Sequence, residues 1–137
     1  MSRSGYSEDI DNWDLIRWRG AVKSALRGRP GQAFLRETLA ALDALPDKKL
    51  THSALEQSGE FCVLGAVGAA RGTSMAHIDP EDHDSVAGLF KIPHSLACEI
   101  MFMNDEAVGA ETPEQRYTRM RQWVLLQIKE APIGRTD

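Results

Sequence analysis

The sequence predicts a mainly α fold: one compact domain of five to six short helices with one short β-hairpin near residues 49–61. Three observations predict it. Apolar residues recur at helical spacing along most of the chain, Gly and Pro fall between those stretches, and Thr112-Pro113-Glu114-Gln115 opens the last stretch with a capping box. With 137 residues, 42% of them hydrophobic and 26% charged, the chain has the size to bury one continuous core and the composition of an ordinary globular domain. The expected organisation is a polar N-terminal arm over 1–12, a single helical domain over 13–130 and a frayed tail over 131–137.

The first helix is expected over Asp14–Arg27, where Leu15, Trp18, Val22, Ala25 and Leu26 fall within one arc at about 100° per residue. Asp11 or Asn12 would cap it. Gly28, Pro30 and Gly31 break it. Phe34, Leu35, Thr38, Leu39, Leu42 and Leu45 then mark one face of a second helix, which Pro46 ends; the short connection makes an antiparallel pair the default. Between Lys49 and Val63 the helical pattern weakens and Ser58-Gly59 signals a turn, which fits a short hairpin or an irregular crossing. Cys62–Arg71 reads as a small-residue helix closed by Gly72, with Gly65, Gly68 and Ala69 allowing a neighbouring backbone to come close. Asp79-Pro80-Glu81 has the form of a helix start, predicting a helix from about Pro80 to Phe90. A further helix follows Ile92-Pro93 and ends near Asn104. In the last one, Tyr117, Met120, Trp123, Val124 and Ile128 form an apolar stripe.

Composition and motifs exclude more than they assign. No apolar run approaches the roughly 18 residues that span a bilayer, and the first residues lack the apolar segment of a secretory signal, so a chain retained in the cell that makes it is expected. Cys62 and Cys98 sit in apolar runs without a CxxC and read as buried free thiols. GAVGAARG lacks the spacing of a phosphate-binding loop and reads as helix packing. His52 and His94 stand beside Ser53 and Ser95, but neighbouring side chains on a helix point apart and no GxSxG is present. Catalytic residues, metal ligands and cofactors are therefore expected to be none.

Charge is the remaining signal. The net charge is −4 and the pI about 5.6. Six basic and no acidic residues lie between Arg17 and Arg36, within which Arg19, Lys23 and Arg27 recur every four residues and Arg29 extends the stripe. Asp79, Glu81, Asp82 and Asp84 form an acidic run that holds His83 and lies near His77. Favourable interaction of acids with a helix start explains most of that run, and Pro80 is unlike a Ca²⁺ loop. Both patches are candidate partner-binding surfaces: the basic stripe for phosphates, unless it forms structural salt bridges to the acidic helix starts, and the acidic run for a basic groove.

Taken together, SGYSEDIDNW, RWRGAVKSALRGRPGQAFLRETLAALDALPDKKL, GEFCVLGAVGAARG, IDPEDHDSVAGLF, MNDE and ETPEQRYTRMRQWV resemble a family of small proteins of unassigned function encoded by tailed bacteriophages and prophages. The resemblance covers nearly the whole chain and carries no site residues. It implies a protein of the host-cell cytoplasm that binds and inhibits a host protein or ribonucleoprotein complex, an anti-CRISPR being the leading example. Trp13, Trp18 or Arg29 would serve as anchors. The alternative is a nucleic-acid-binding accessory protein using the Arg19–Arg29 stripe; neither reading involves a membrane or a small-molecule substrate.

Overall fold

A computed structural model describes Ser4 and residues 12–129. Most of the expected N-terminal arm, the cap Asp11 and the tail 131–137 lie outside the described residues. The fold is mainly helical, with one two-stranded antiparallel hairpin. Its elements are α1 (Asn12–Arg27), α2 (Arg29–Ala44), β1 (Glu56–Gln57), β2 (Glu60–Phe61), α3 (Val63–Arg71), α4 (His83–Phe90), α5 (His94–Asp105) and α6 (Pro113–Gln127). No single helix among the described residues is long and apolar enough to cross a membrane.

Helix α1 buries Val22 and Leu26, half-buries Trp18 and Ala25, and leaves Leu15 at the exposed edge of its apolar arc. The link to α2 is the single residue Gly28, shorter than the two to five residues of an αα-hairpin. So α2 turns a corner against the last turn of α1, where Gly31 lies so close to the Ala25 carbonyl that no side chain fits. Its buried face, Phe34, Leu35, Thr38, Ala41 and Leu42, packs on α3 and α6 as well as α1. Helix α6 runs antiparallel to α2, because Gln32 bonds near Gln127 at one end and Leu42 accepts from Tyr117 Oη (2.9 Å) at the other.

The hairpin forms as the turn signal predicts: Ser58 (φ 54°) and Gly59 (φ 83°) both take the positive φ that a two-residue connection with the native strand twist requires. Cys62 caps α3, its sulfur accepting from Gly65 N at 3.3 Å. Gly65 is the close approach expected of this helix: a Cβ there would lie 1.8 Å from the Leu55 carbonyl oxygen. Gly68 faces the Met75 side chain instead, and Ala69 is exposed.

The expected helix start at Pro80 is displaced by three residues. Asp82 is the N-cap of α4, accepting from Ser85 N at 3.2 Å and Ser85 Oγ at 2.8 Å, while Asp79 accepts from Glu81 N at 2.9 Å and its carbonyl from Asp82 N at 3.0 Å. Asp followed by Pro is equally the opening of a β-turn, and Asp82 offers the better cap three residues on. Helix α4 then ends on Lys91 in the left-handed region (φ 58°), and α5 packs against α1, α3, α4 and α6. The capping box of α6 is present as expected, Thr112 Oγ1 accepting from Gln115 N and the Gln115 side chain from Thr112 N.

Two polar hubs lock this packing. Asn104, at the end of α5, accepts from Val63 N in the first turn of α3 and donates to the Thr51 carbonyl and to Asp105; Arg116 of α6 donates to the carbonyls of Asn104 and Leu50. Glu111 pairs with Arg116 (3.2 Å) and Arg119 (2.7 Å) at the rim. At the other end of the molecule, Gln32 donates to the Leu26 and Gln127 carbonyls and accepts from Lys129 N, tying α1, α2 and the end of α6 together.

Candidate functional site

Around α1 at 100° per residue, Trp13, Ile16, Arg17, Gly20, Ser24 and Arg27 share the side opposite Val22. Trp13 is 73% and Ile16 58% exposed. Large apolar side chains this open on a helix that also carries Arg17 form an apolar end to a basic face, an arrangement typical of protein-contact anchors. Trp18, the other candidate anchor, is packed inward against the core and is removed from that role.

The basic stripe divides. Arg19 reaches back to α5, its two terminal nitrogens donating to the buried Glu99 at 2.8 and 3.2 Å. This fork holds α1 on α5 and compensates a carboxylate that burial would otherwise penalise. Lys23 and Arg27 make no ion pair among the described residues, and with Arg19 and Lys129 they flank a groove of about 770 Å³ between α1 and the end of α6, floored by Val22, Leu26 and Ile128. Lys129 Nζ donates to the Arg27 carbonyl at 2.9 Å. Arg29 opens α2 beyond the corner and does not line the groove.

The acidic run also divides. Asp79 and Asp82 are spent on the turn and the cap described above, and the bonds from Ser85 hold the Asp82 carboxyl below the usual range. Glu81 is exposed. Asp84 instead faces two histidines: its Oδ1 is 3.3 Å from His94 Nδ1 and 3.9 Å from His83 Nδ1.

These histidines belong to a cluster that the sequence reading missed. His83 begins α4 and His94 begins α5; their rings stack with centroids 4.3 Å apart and planes 13° from parallel. Cys98 lies one turn beyond His94 on α5, and ligand-capable atoms of His83, His94 and Cys98 all fall within 4.8 Å of one another. Trp18 meets His94 edge-on at 5.8 Å. Cys98 is 1% exposed, and burial, followed by the Asp84 charge, pushes its thiol up to about 12. Such a thiol is a poor nucleophile at neutral pH. His94 therefore faces His83, Asp84 and Cys98 rather than its neighbour Ser95, and Cys98 is buried as expected but in polar company. The readable signal was the four-residue spacing of His94 and Cys98, which places both on one helix face.

The expectation that His52 and Ser53 point apart is also corrected. They lie in a bend where Ser53 has φ 62°, and His52 Nδ1 is 3.1 Å from Ser53 Oγ. Both are exposed, and the nearby carboxylate of Asp105 accepts from Ser53 N (3.2 Å) rather than from the imidazole. Among the described residues the base thus has no orienting acid of the kind that nucleophile activation requires in a triad.

Compared with protein-family models, with curated proteins and with solved structures, the chain matches none.

Proposed function

We propose that this is a phage-encoded binding protein that docks on and inhibits a host protein or nucleoprotein complex, a bacterial defence complex of the CRISPR type being the first target class, and that no catalytic step is involved. The observation that supports it is the outer face of α1. Trp13 and Ile16 offer an apolar anchor, and Lys23 and Arg27 supply charge that would steer the domain toward an acidic surface, whereas Arg17 is paired with Asp14 on the same helix (2.7 Å). The interior supports the same reading: α1 is held on α5 by the Arg19–Glu99 fork, so the anchor sits on a rigid element and loses little freedom on docking. The target class comes from the resemblance to small phage proteins and from the host-cytoplasm setting it implies.

The test is capture from bacterial lysate on the tagged full chain, with and without nuclease, comparing wild type with a Trp13→Ala/Ile16→Ser variant. The reading expects one stoichiometric host assembly that survives nuclease treatment and is lost with the variant. Recovery of nuclease-sensitive material alone, with a steep dependence on salt, would replace it by nucleic-acid binding through Lys23, Arg27 and Lys129.

A further inference from the structure

The His83, His94 and Cys98 cluster has features that packing does not explain. His83 Nδ1 is buried with no hydrogen-bond partner among the described residues, whereas the large majority of buried polar side-chain atoms have one. Two imidazoles and a thiol converge there from the starts of two helices, and the carboxylate of Asp84 joins them at the rim. Cys98 forms the floor; His83, His94 and Asp84, with side chains 32%, 42% and 77% exposed, form a mouth open to solvent.

We propose that His83, His94, Cys98 and Asp84 bind one Zn²⁺ ion. The donor set is two nitrogens, one sulfur and one carboxylate oxygen, which suits a borderline-soft ion of tetrahedral preference and does not suit Ca²⁺ or Mg²⁺. The distances fit after a small closure: bonds of about 2.0–2.3 Å at tetrahedral angles place ligand atoms roughly 3.3–3.6 Å apart. The 4.8 Å limit, which holds for His83, His94 and Cys98, therefore has to contract by roughly 1.2–1.5 Å through side-chain rotation at the two half-exposed imidazoles. Asp84 stands outside that trio, with its Oδ1 3.3 and 3.9 Å from the two imidazole Nδ1 atoms, and has to swing inward as the fourth ligand. Zinc ligation would also give the His83 ring nitrogen a partner.

The fold explains what such an ion would do. His83 and Asp84 stand on α4, which ends on the left-handed Lys91, and the chain then turns sharply through Pro93 into α5, where His94 and Cys98 stand. A metal bridging the two would fasten the starts of both helices and restrain the 79–82 turn that precedes them. The role is structural, and it is independent of the docking surface on α1.

Cobalt substitution tests the assignment directly. The full chain, stripped with chelator and kept reduced, is titrated with Co²⁺ and then with Zn²⁺. Expected are one equivalent of Co²⁺ bound, visible bands of tetrahedral intensity, a near-ultraviolet thiolate-to-metal charge-transfer band, and displacement of all three by one equivalent of Zn²⁺. The charge-transfer band should vanish in Cys98→Ser and persist in Cys62→Ser, and His83→Gln should weaken Zn²⁺ at least tenfold. Because Cys98 is buried and its replacement can impair folding, His83→Gln carries the same decision at a half-exposed position: Zn²⁺ should raise the melting temperature of wild type and leave that of His83→Gln unmoved. Absence of the charge-transfer band in folded wild type, its loss in Cys62→Ser with retention in Cys98→Ser, or an equal Zn²⁺ response in His83→Gln overturns the proposal.

Discussion

Removing the Asn104 side chain should cost far more than its size suggests. Asn104 is 1% exposed, and its amide serves two backbone groups that have little else to turn to: Val63 N, one of the donors left open at the start of α3 (3.2 Å), and the Thr51 carbonyl (3.0 Å). A third bond goes to Asp105 Oδ1 at 2.7 Å. Asn104→Ala strands both backbone groups, at about 1–3 kcal/mol each, so a loss of roughly 2–6 kcal/mol is expected. For a domain of this length each kcal/mol moves the midpoint by about 3–5 °C, which makes the fall in melting temperature roughly 6–30 °C. Asn104→Asp separates hydrogen bonding from packing, because it keeps the shape and the acceptor for Val63 N but turns an oxygen toward the Thr51 carbonyl and Asp105. It should cost nearly as much as Asn104→Ala. Urea unfolding followed by tryptophan fluorescence and by far-ultraviolet circular dichroism gives both numbers. A loss below about 1 kcal/mol for Asn104→Ala would refute the reasoning, since it would mean that water or rearranged backbone satisfies both groups.

Four shorter expectations follow. Gly65→Ala drives a methyl toward the Leu55 carbonyl, where the ideal Cβ is 1.8 Å from the oxygen, and should destabilise by at least about 1–3 kcal/mol in the same denaturation assay. Lys91→Gly relieves a left-handed residue at the end of α4 and should stabilise by roughly 0.5–1 kcal/mol, read as a higher urea midpoint. The Arg119 hydrogen bonds, then the charges of Arg119 and Arg116, hold the Glu111 carboxyl below its ordinary value of 4.5, so its folded pKa lies under its unfolded one. That stabilisation is complete above pH 4.5 and lost as pH falls through the depressed value; Glu111→Gln should flatten this acid limb of stability against pH. Trp13→Ala, at a position 73% exposed, should leave stability within about 0.5 kcal/mol of wild type while abolishing lysate capture.

What could be read from the sequence was what depends on neighbours in the chain. The capping box at Thr112, the Ser58-Gly59 turn, the Gly72 end of α3 and the apolar faces of α2 and α6 are set by residues within one or two turns of each other, and each is found where expected. The start of α4 failed because Asp-Pro serves a turn and a helix start equally, and only the competing cap at Asp82 decides between them. The basic stripe looked uniform because its periodicity carries no information about Glu99, eighty residues away, which takes Arg19 out of it. His83 and His94 stack only because the chain reverses sharply between α4 and α5, a tertiary fact without a local signature.

The two proposed surfaces lie on opposite sides of one joint, and that joint makes them separable. Trp18 touches His94 edge-on and Arg19 grips Glu99, so the inner face of α1 rests on the same helix that carries two of the four proposed zinc ligands. The ion would restrain α4 relative to α5, whereas α1 is held on α5 by the Arg19 fork and by Val22 and Leu26 in the core, none of which needs a metal. Loss of the ion should therefore leave the outer face of α1 in place, and His83→Gln should capture the partner as well as wild type does while failing to respond to Zn²⁺. Loss of the fork should do the reverse: Arg19→Ala leaves Glu99 buried without its guanidinium, a change of the kind that costs about 3–5 kcal/mol when both charges are buried and less here because Arg19 is half-exposed. It should loosen α1 and weaken capture with the zinc ligands intact. Equal loss of capture in both variants would mean that docking reaches across α4 as well, and would enlarge the interface from one helix face to the whole α1, α4 and α5 side of the domain.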